Sequence, residues 1–255
     1  ITGGESIDEY AFYNCIGLTS IEIPSSVTSV GSSAFYICSS LTNIIIPSSV
    51  TSIGSDAFYG CSSLTNVYYN GTIEDWCNIT FIFSNYCYNP MEYAQHFYML
   101  DENDEYQELT EIVIPNTITS IGDYQFNGFE KVTSVEIPSS VTSIGKYAFY
   151  GCSSLTSIEI PSSVTSIGDY AFRGCSSLTS IEIPSSVTSI GSGAFENCTS
   201  LTSIEIPSSV TNIGNYAFYN CSSLKIYCED KSKPSGWSTY WNSSNCPVVW
   251  NYKKQ

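Results

Sequence analysis

The chain has 255 residues and carries 24 acidic against 8 basic side chains, a formal net charge of −16. No cluster of Lys or Arg offsets that sign, so the surface repels phosphate backbones and nucleic acid is excluded as a partner. No apolar run approaches the roughly 18 residues of a membrane-spanning helix, while 42% hydrophobic against 13% charged residues supplies a buried core.

Periodicity organises the rest. The chain opens at Ile1 with Tyr10-Ala11-Phe12 already in register, which reads as a trimmed or mature fragment. A leading apolar position recurs at Leu18, Leu41, Leu64, Leu109, Val132, Leu155, Leu178, Leu201 and Leu224, every step being 23 residues except one of 45 after Leu64. In the unit that starts at Leu155, Ile158 and Ile160 lie two apart and share one face of a short strand, leaving Ser157 and Glu159 to solvent. Pro161 ends that strand because it cannot donate to a ladder. Val164 and Ile167 return to the interior, and Gly168 is expected to permit a sharp bend. Ala171 and Phe172 are expected on a helical or 3₁₀ turn that plugs the far side, with Cys175 completing the inward set. A single unit cannot bury these residues alone, so neighbours must stack, about nine coils in all.

The motif Leu-x-x-Ile-x-Ile-Pro-x-x-Val-x-x-Ile-Gly-x-x-Ala-Phe-x-x-Cys resembles the BspA-like class of leucine-rich repeats. That resemblance implies a curved right-handed leucine-rich-repeat solenoid of α/β type, mostly β with short helical or 3₁₀ turns and a parallel concave sheet. It also implies a bacterial or protozoan protein at the cell surface or secreted, in a class whose characterised members act in adhesion to host proteins or other cells. The resemblance carries no ligand-contacting residue over.

The pattern divides the chain into N-terminal coils 1–69, an aromatic-rich insert or degenerate coil at 70–108, C-terminal coils 109–228 and a Trp-rich cap at 229–255, as one structural domain. The insert contains the turn dipeptide Asn70-Gly71, then Trp76, Phe81, Phe83, Tyr86, Tyr88, Tyr93, His96, Phe97 and Tyr98. Its rings either pack on the solenoid or form a platform for a sugar or protein, with Trp76 as the candidate contact. The run Asp101–Glu105 is expected as a solvated loop tip. Trp237, Trp241 and Trp250 are expected to shield the last coil's open apolar face.

Seven of the eleven cysteines, Cys15, Cys38, Cys61, Cys152, Cys175, Cys198 and Cys221, occupy one repeat position, where Phe129 stands in another coil. Their Cβ vectors run parallel, so they read as buried free thiols. Cys77–Cys87 and Cys228–Cys246 are candidate disulfides. With His96 the only histidine and no Cys-x-x-Cys pair, a metal or other cofactor is not expected. No nucleophile elbow accompanies His96, and the chain does not read as an enzyme.

On the exposed strand position, Glu136, Glu159, Glu182 and Glu205 fall in consecutive coils, with Glu22 near the N-terminus. Ile45, Tyr68 and Val113 hold the same position around the insert, which predicts either that the insert folds over them or that they form a binding patch. The column reads either as simply solvated, a product of repeat duplication, or as a surface that attracts Lys- or Arg-rich partners or a cation. The sequence therefore predicts a monomeric recognition module for a host or neighbouring-cell protein, with a glycan-binding module or a passive spacer as alternatives. Sequons at Asn70, Asn78, Asn197, Asn220 and Asn242 matter only in a eukaryotic secretory pathway.

Overall fold

The computed structural model describes residues 4–82 and 89–253. The chain is a parallel-sheet β-solenoid of about ten turns with almost no helix, and its residues cluster in two compact units, 1–109 with 127–129, and 110–126 with 130–255.

Each unit repeats one cross-section with two parallel sheets. In the first unit a longer sheet takes Ser20–Glu22, Asn43–Pro47, Asn66–Asn70 and His96–Leu100, and a second sheet takes Ser6–Ile7, Ser29–Val30, Ser52–Ile53 and Thr80–Phe81. In the second unit the longer sheet runs Glu111–Val113, Ser134–Glu136, Ser157–Ile158, Ser180–Glu182, Ser203–Ile206, Lys225–Cys228 and Val248–Val249, and the second sheet Ser143–Ile144, Ser166–Ile167, Ser189–Ile190 and Asn212–Ile213. Registers such as Ile158–Ile181 and Ile167–Ile190 place each residue beside its equivalent 23 positions on. Val164, Ile167, Ala171, Phe172, Cys175 and Leu178 are buried as their spacing predicts. The phenylalanines stack face to face through the second unit, Phe149 on Phe172 at 5.4 Å and Phe172 on Phe195 at 5.5 Å. Each fully buried ring or aliphatic chain contributes about 1.5–3 kcal/mol.

Three expectations change. The Ala-Phe segments are turns, not helices; among the described residues only Ile73–Cys77 is α-helical and Pro90–Glu92 is 3₁₀. Three or four residues per turn leave no room for a helix when Phe172 N–H must reach across to Ala194 O at 2.8 Å. Gly168 serves close approach rather than a bend: a Cβ there would lie 2.6 Å from Gly145 C, so any side chain would collide with the neighbouring coil. The left-handed φ falls instead on later residues, Tyr170 at +57° and Gly174 at +76°. Finally, Cys15 is exposed while Cys38, Cys61, Cys152, Cys175, Cys198 and Cys221 are buried, because Cys15 lies in the first coil and the coil that follows covers only one side of it.

The 45-residue step is a complete coil plus a hairpin. Thr72 caps the short helix by accepting from Asp75 N–H, and Asp75 returns the bond to Thr72 N–H. Thr80–Phe81 joins the second sheet beside Ser52–Ile53, and His96–Leu100 joins the longer sheet beside Asn66–Asn70. Tyr106–Glu108 then folds back antiparallel on that strand, leaving the Asp101–Glu105 tip at the surface. Phe83, Tyr86, Cys87 and Tyr88 lie outside the described residues, and the Cys77–Cys87 pairing with them.

At the C-terminus the cap is itself a reduced coil. Val248–Val249 extends the longer sheet, and Trp237 bridges Ile213 at the second. Trp237, Trp241 and Trp250 pack on one another at 4.8, 5.9 and 6.3 Å, and Trp241 meets Phe218 edge-on at 5.9 Å. Trp237 Nε1 donates to Val210 O at 2.8 Å, so its buried N–H is satisfied. Cys228 and Cys246 are both free thiols. The Ile226–Val248 register sets Cys246 level with Leu224, four residues or about 13 Å along the strand from Cys228, beyond the reach of a disulfide.

Burial pushes the Cys61 and Cys221 thiols up to about 12 from an ordinary 9.0. The unfolded chain releases these protons first, so the stability they contribute is intact below pH 9 and lost as pH rises towards 12. Melting curves at about pH 8 and about pH 10.5 should show a larger fall for the wild type than for Cys61→Ala/Cys221→Ala; equal falls would contradict this. Under native conditions a thiol reagent should modify Cys15 ahead of the six buried repeat thiols, which should react only on unfolding.

Candidate binding surface

The outward positions of the longer sheet in the second unit form a single column. Val113 neighbours Glu136, Glu182 neighbours Glu205, and Glu205 neighbours Tyr227. A shallow groove follows it, lined by Ser134, Glu136, Glu159, Glu182, Ser203 and Glu205. Neighbouring strands lie about 4.8 Å apart, and two carboxylates at about that spacing repel by about 0.8 kcal/mol in water. The scaffold tolerates this because the side chains stay in solvent and salt screens them. Glu205 is more enclosed than Glu136 or Glu159, since Tyr252, tilted against Tyr227 at 4.9 Å, donates its hydroxyl to Glu205 Oε1 at 3.2 Å. Val113 is 61% exposed at the start of the same column.

In the first unit the equivalent column reads Glu22, Ile45, Tyr68 and Tyr98. Ile45 and Tyr68 are half-buried. Tyr98 stacks on Tyr68 at 5.0 Å, Tyr106 meets Tyr68 edge-on at 4.7 Å, and Tyr106 donates its hydroxyl to Asn70 Oδ1 at 2.5 Å. His96 Nδ1 lies 2.5 Å from Glu108 Oε1 and ties the hairpin to its strand. The insert therefore folds onto Tyr68, while Val113 stands beside Glu136 in the second unit.

Trp76 is fully buried. Its indole packs against Tyr69 at 5.1 Å, Phe81 at 5.6 Å, Phe97 at 4.8 Å and Phe129 at 5.7 Å. A ligand cannot reach it, so its candidacy as a contact residue is withdrawn. Phe129, which stands at the cysteine position, fills the space beside the larger insert coil.

Charge is distributed unevenly: no Lys or Arg precedes Lys131, so all eight basic side chains fall at or beyond that position. Pairs Lys146–Asp169 at 3.6 Å and Arg173–Glu196 at 3.2 Å use two of them away from the longer sheet. Reading the strand positions alone missed a second exposed feature. Tyr216, Tyr219 and Tyr240 on the turns of the second unit are 45%, 46% and 59% exposed. For Tyr216 and Tyr219 the signal was the same 23-residue spacing, read at the turn from Tyr170 and Tyr150; Tyr240 falls outside it.

A family model described as the BspA type leucine rich repeat region matches residues 3–93 and 104–225 in six copies. Among solved structures, a leucine-rich repeat protein from Bacteroides ovatus ATCC 8483 is 29% identical with a TM-score of 0.62, over 96% of this chain and 64% of that one. The chain thus spans less than two thirds of that relative. A leucine rich cell surface protein from Faecalibacterium prausnitzii A2-165 is 26% identical over 100% of this chain and 89% of its own, with a TM-score of 0.46. No protein of curated function matches the chain.

Replacing Trp76 by Ala should cost about 3–5 kcal/mol of stability in denaturant unfolding. Ligand affinity of the folded fraction should be unchanged, which separates packing from contact.

Proposed function

We propose that this chain, which belongs to the family of BspA-type leucine-rich-repeat proteins, is a non-enzymatic recognition module that binds a host or neighbouring-cell protein. We further infer that it works at the cell surface or secreted, consistent with the adhesion role the repeat resemblance implies. The observation that carries the reading is the solvent-facing column Glu136, Glu159, Glu182 and Glu205 on one open sheet.

A column of carboxylates on neighbouring strands complements Lys or Arg side chains presented by an extended or helical segment of a partner. The intervening serines supply hydroxyls for its polar groups. Rigid strands hold the carboxylates in place, so little ordering opposes association. Attraction through such exposed charges raises the on-rate and weakens with salt.

The test is binding of immobilised chain to a panel of extracellular-matrix and serum proteins. At least one should bind saturably, with affinity falling as salt rises from about 0.1 to about 1 M. Substituting Glu159→Gln and Glu182→Gln together should weaken binding about tenfold, or about 1.4 kcal/mol, without shifting the melting curve. Absence of binding across the panel, or binding indifferent to the substitutions, would defeat the proposal and leave the passive spacer.

A further inference from the structure

Two residues after Gly122, Gly145, Gly168 and Gly214 the second unit places a tyrosine on the turn. Tyr124, Tyr147 and Tyr170 stack in sequence at 4.7 and 4.8 Å, with ring planes 10° and 22° apart, so each covers the next. Gly193 breaks the column. Tyr170 leans across that glycine, close enough that a Cβ on it would lie 2.3 Å from the ring. Beyond the break Tyr216 resumes the column, stacked on Tyr240 at 6.2 Å and 16° and meeting Tyr219 edge-on at 5.9 Å and 78°. The face of Tyr216 towards Gly193 has no ring against it among the described residues, and the three rings are exposed where Tyr124 is 5% exposed.

Groups that bond hydroxyls surround this break. Glu196 stands beside Gly193, its Oε2 3.1 Å from where a Cβ on that glycine would be, and its other oxygen is held by Arg173 at 3.2 Å. Asn220 Nδ2 donates to Asn197 Oδ1 at 2.8 Å, which links the two amides on neighbouring turns. Tyr216 also holds φ of +59°, a backbone region unfavourable for a bulky side chain. Tyr147 occupies the same region and is stacked between two rings, whereas Tyr170 and Tyr216, on either side of Gly193, each have one.

The exposed phenols of Tyr216, Tyr219 and Tyr240, on turns that also carry amides and a carboxylate, suit a pyranose ring. Its C–H face lies on the phenol while its hydroxyls bond at the rim, the usual division of an apolar wall and a few placed polar groups. A polyanion is disfavoured by Glu196, and a purely apolar segment would strand the amides. We propose that Tyr216, Tyr219 and Tyr240 form a saccharide-binding platform, with Asn197, Asn220 and Glu196 bonding the sugar hydroxyls.

The site lies on the turns and is separate from the acidic column, so the two proposals fail independently. The probes are oligosaccharides of β-1,4-linked glucose, β-1,4-linked xylose and N-acetyllactosamine, tested by calorimetry. At least one should bind saturably. Tyr216→Asn keeps a residue that tolerates positive φ and removes the ring; it should weaken binding at least about tenfold with an unchanged melting curve. Tyr13→Ala, an exposed ring of the other unit, and Glu159→Gln/Glu182→Gln should leave sugar binding as it was. Failure to bind all three sugars, or binding that survives Tyr216→Asn, would overturn the platform.

Discussion

Everything in this molecule hangs on main-chain hydrogen bonds made between coils rather than within them. At the turns, Phe149 N–H reaches Ala171 O and Phe172 N–H reaches Ala194 O, both at 2.8 Å; beside the second sheet, Thr165 N–H reaches Thr142 O at 2.9 Å. Such a bond forms only if the next coil repeats the same path, because a backbone group left unpaired in the interior costs about as much as the bond is worth. Between Glu111 and Ile206 the coils are thereby held to 23 residues each. The recurrent glycines follow, since two backbones separated by one coil spacing touch where Gly168 meets Gly145. Small polar side chains reinforce the same direction: Thr165 and Thr188 hydroxyls donate to the Thr carbonyl one coil back, Ser163 and Ser186 to Val141 and Val164, and the Cys175 thiol to Phe149. Residues that look like a bland polar background are a ladder along the axis.

Because the inward residues and the axial bonds settle the scaffold, the outward positions are released from structural duty. Two sets of outward side chains then acquire spacing without any site having to be assembled from distant parts of the chain. On the strands this makes a column of carboxylates; on the turns it makes stacked phenols. A surface of this kind presents one chemistry at a fixed interval, interrupted at Gly193 and at the Tyr68 cluster.

The inward pattern was legible in the sequence because hydrophobic periodicity and strand alternation report directly on burial, and Val164, Phe172 and Cys175 lie where that logic puts them. Less legible was the meaning of each special residue. Gly168 looked like a bend and is a contact, a distinction that depends on the neighbouring coil and not on its own dihedral angle. Trp76 looked available because an insert suggests a loop; the second sheet recruits Thr80–Phe81, and that places the indole inside. Ile45, Tyr68 and Val113 do share one outward strand position, and what the sequence did not show is that the hairpin folds onto it at Tyr68. Tyr216 and Tyr240 went unremarked because exposure of a turn residue depends on which side chains its neighbours carry, here on a glycine one coil away.

The Trp-rich end and the near-identical coils have opposite consequences for how the gene can change. A sequence that repeats almost verbatim from Pro138 to Pro207 invites misaligned recombination, and an exchange in register adds or removes whole coils whose hydrogen bonds still meet. The residues around Trp237 match no other coil, so such exchanges leave them in place, and an expanding or contracting array keeps its closed end.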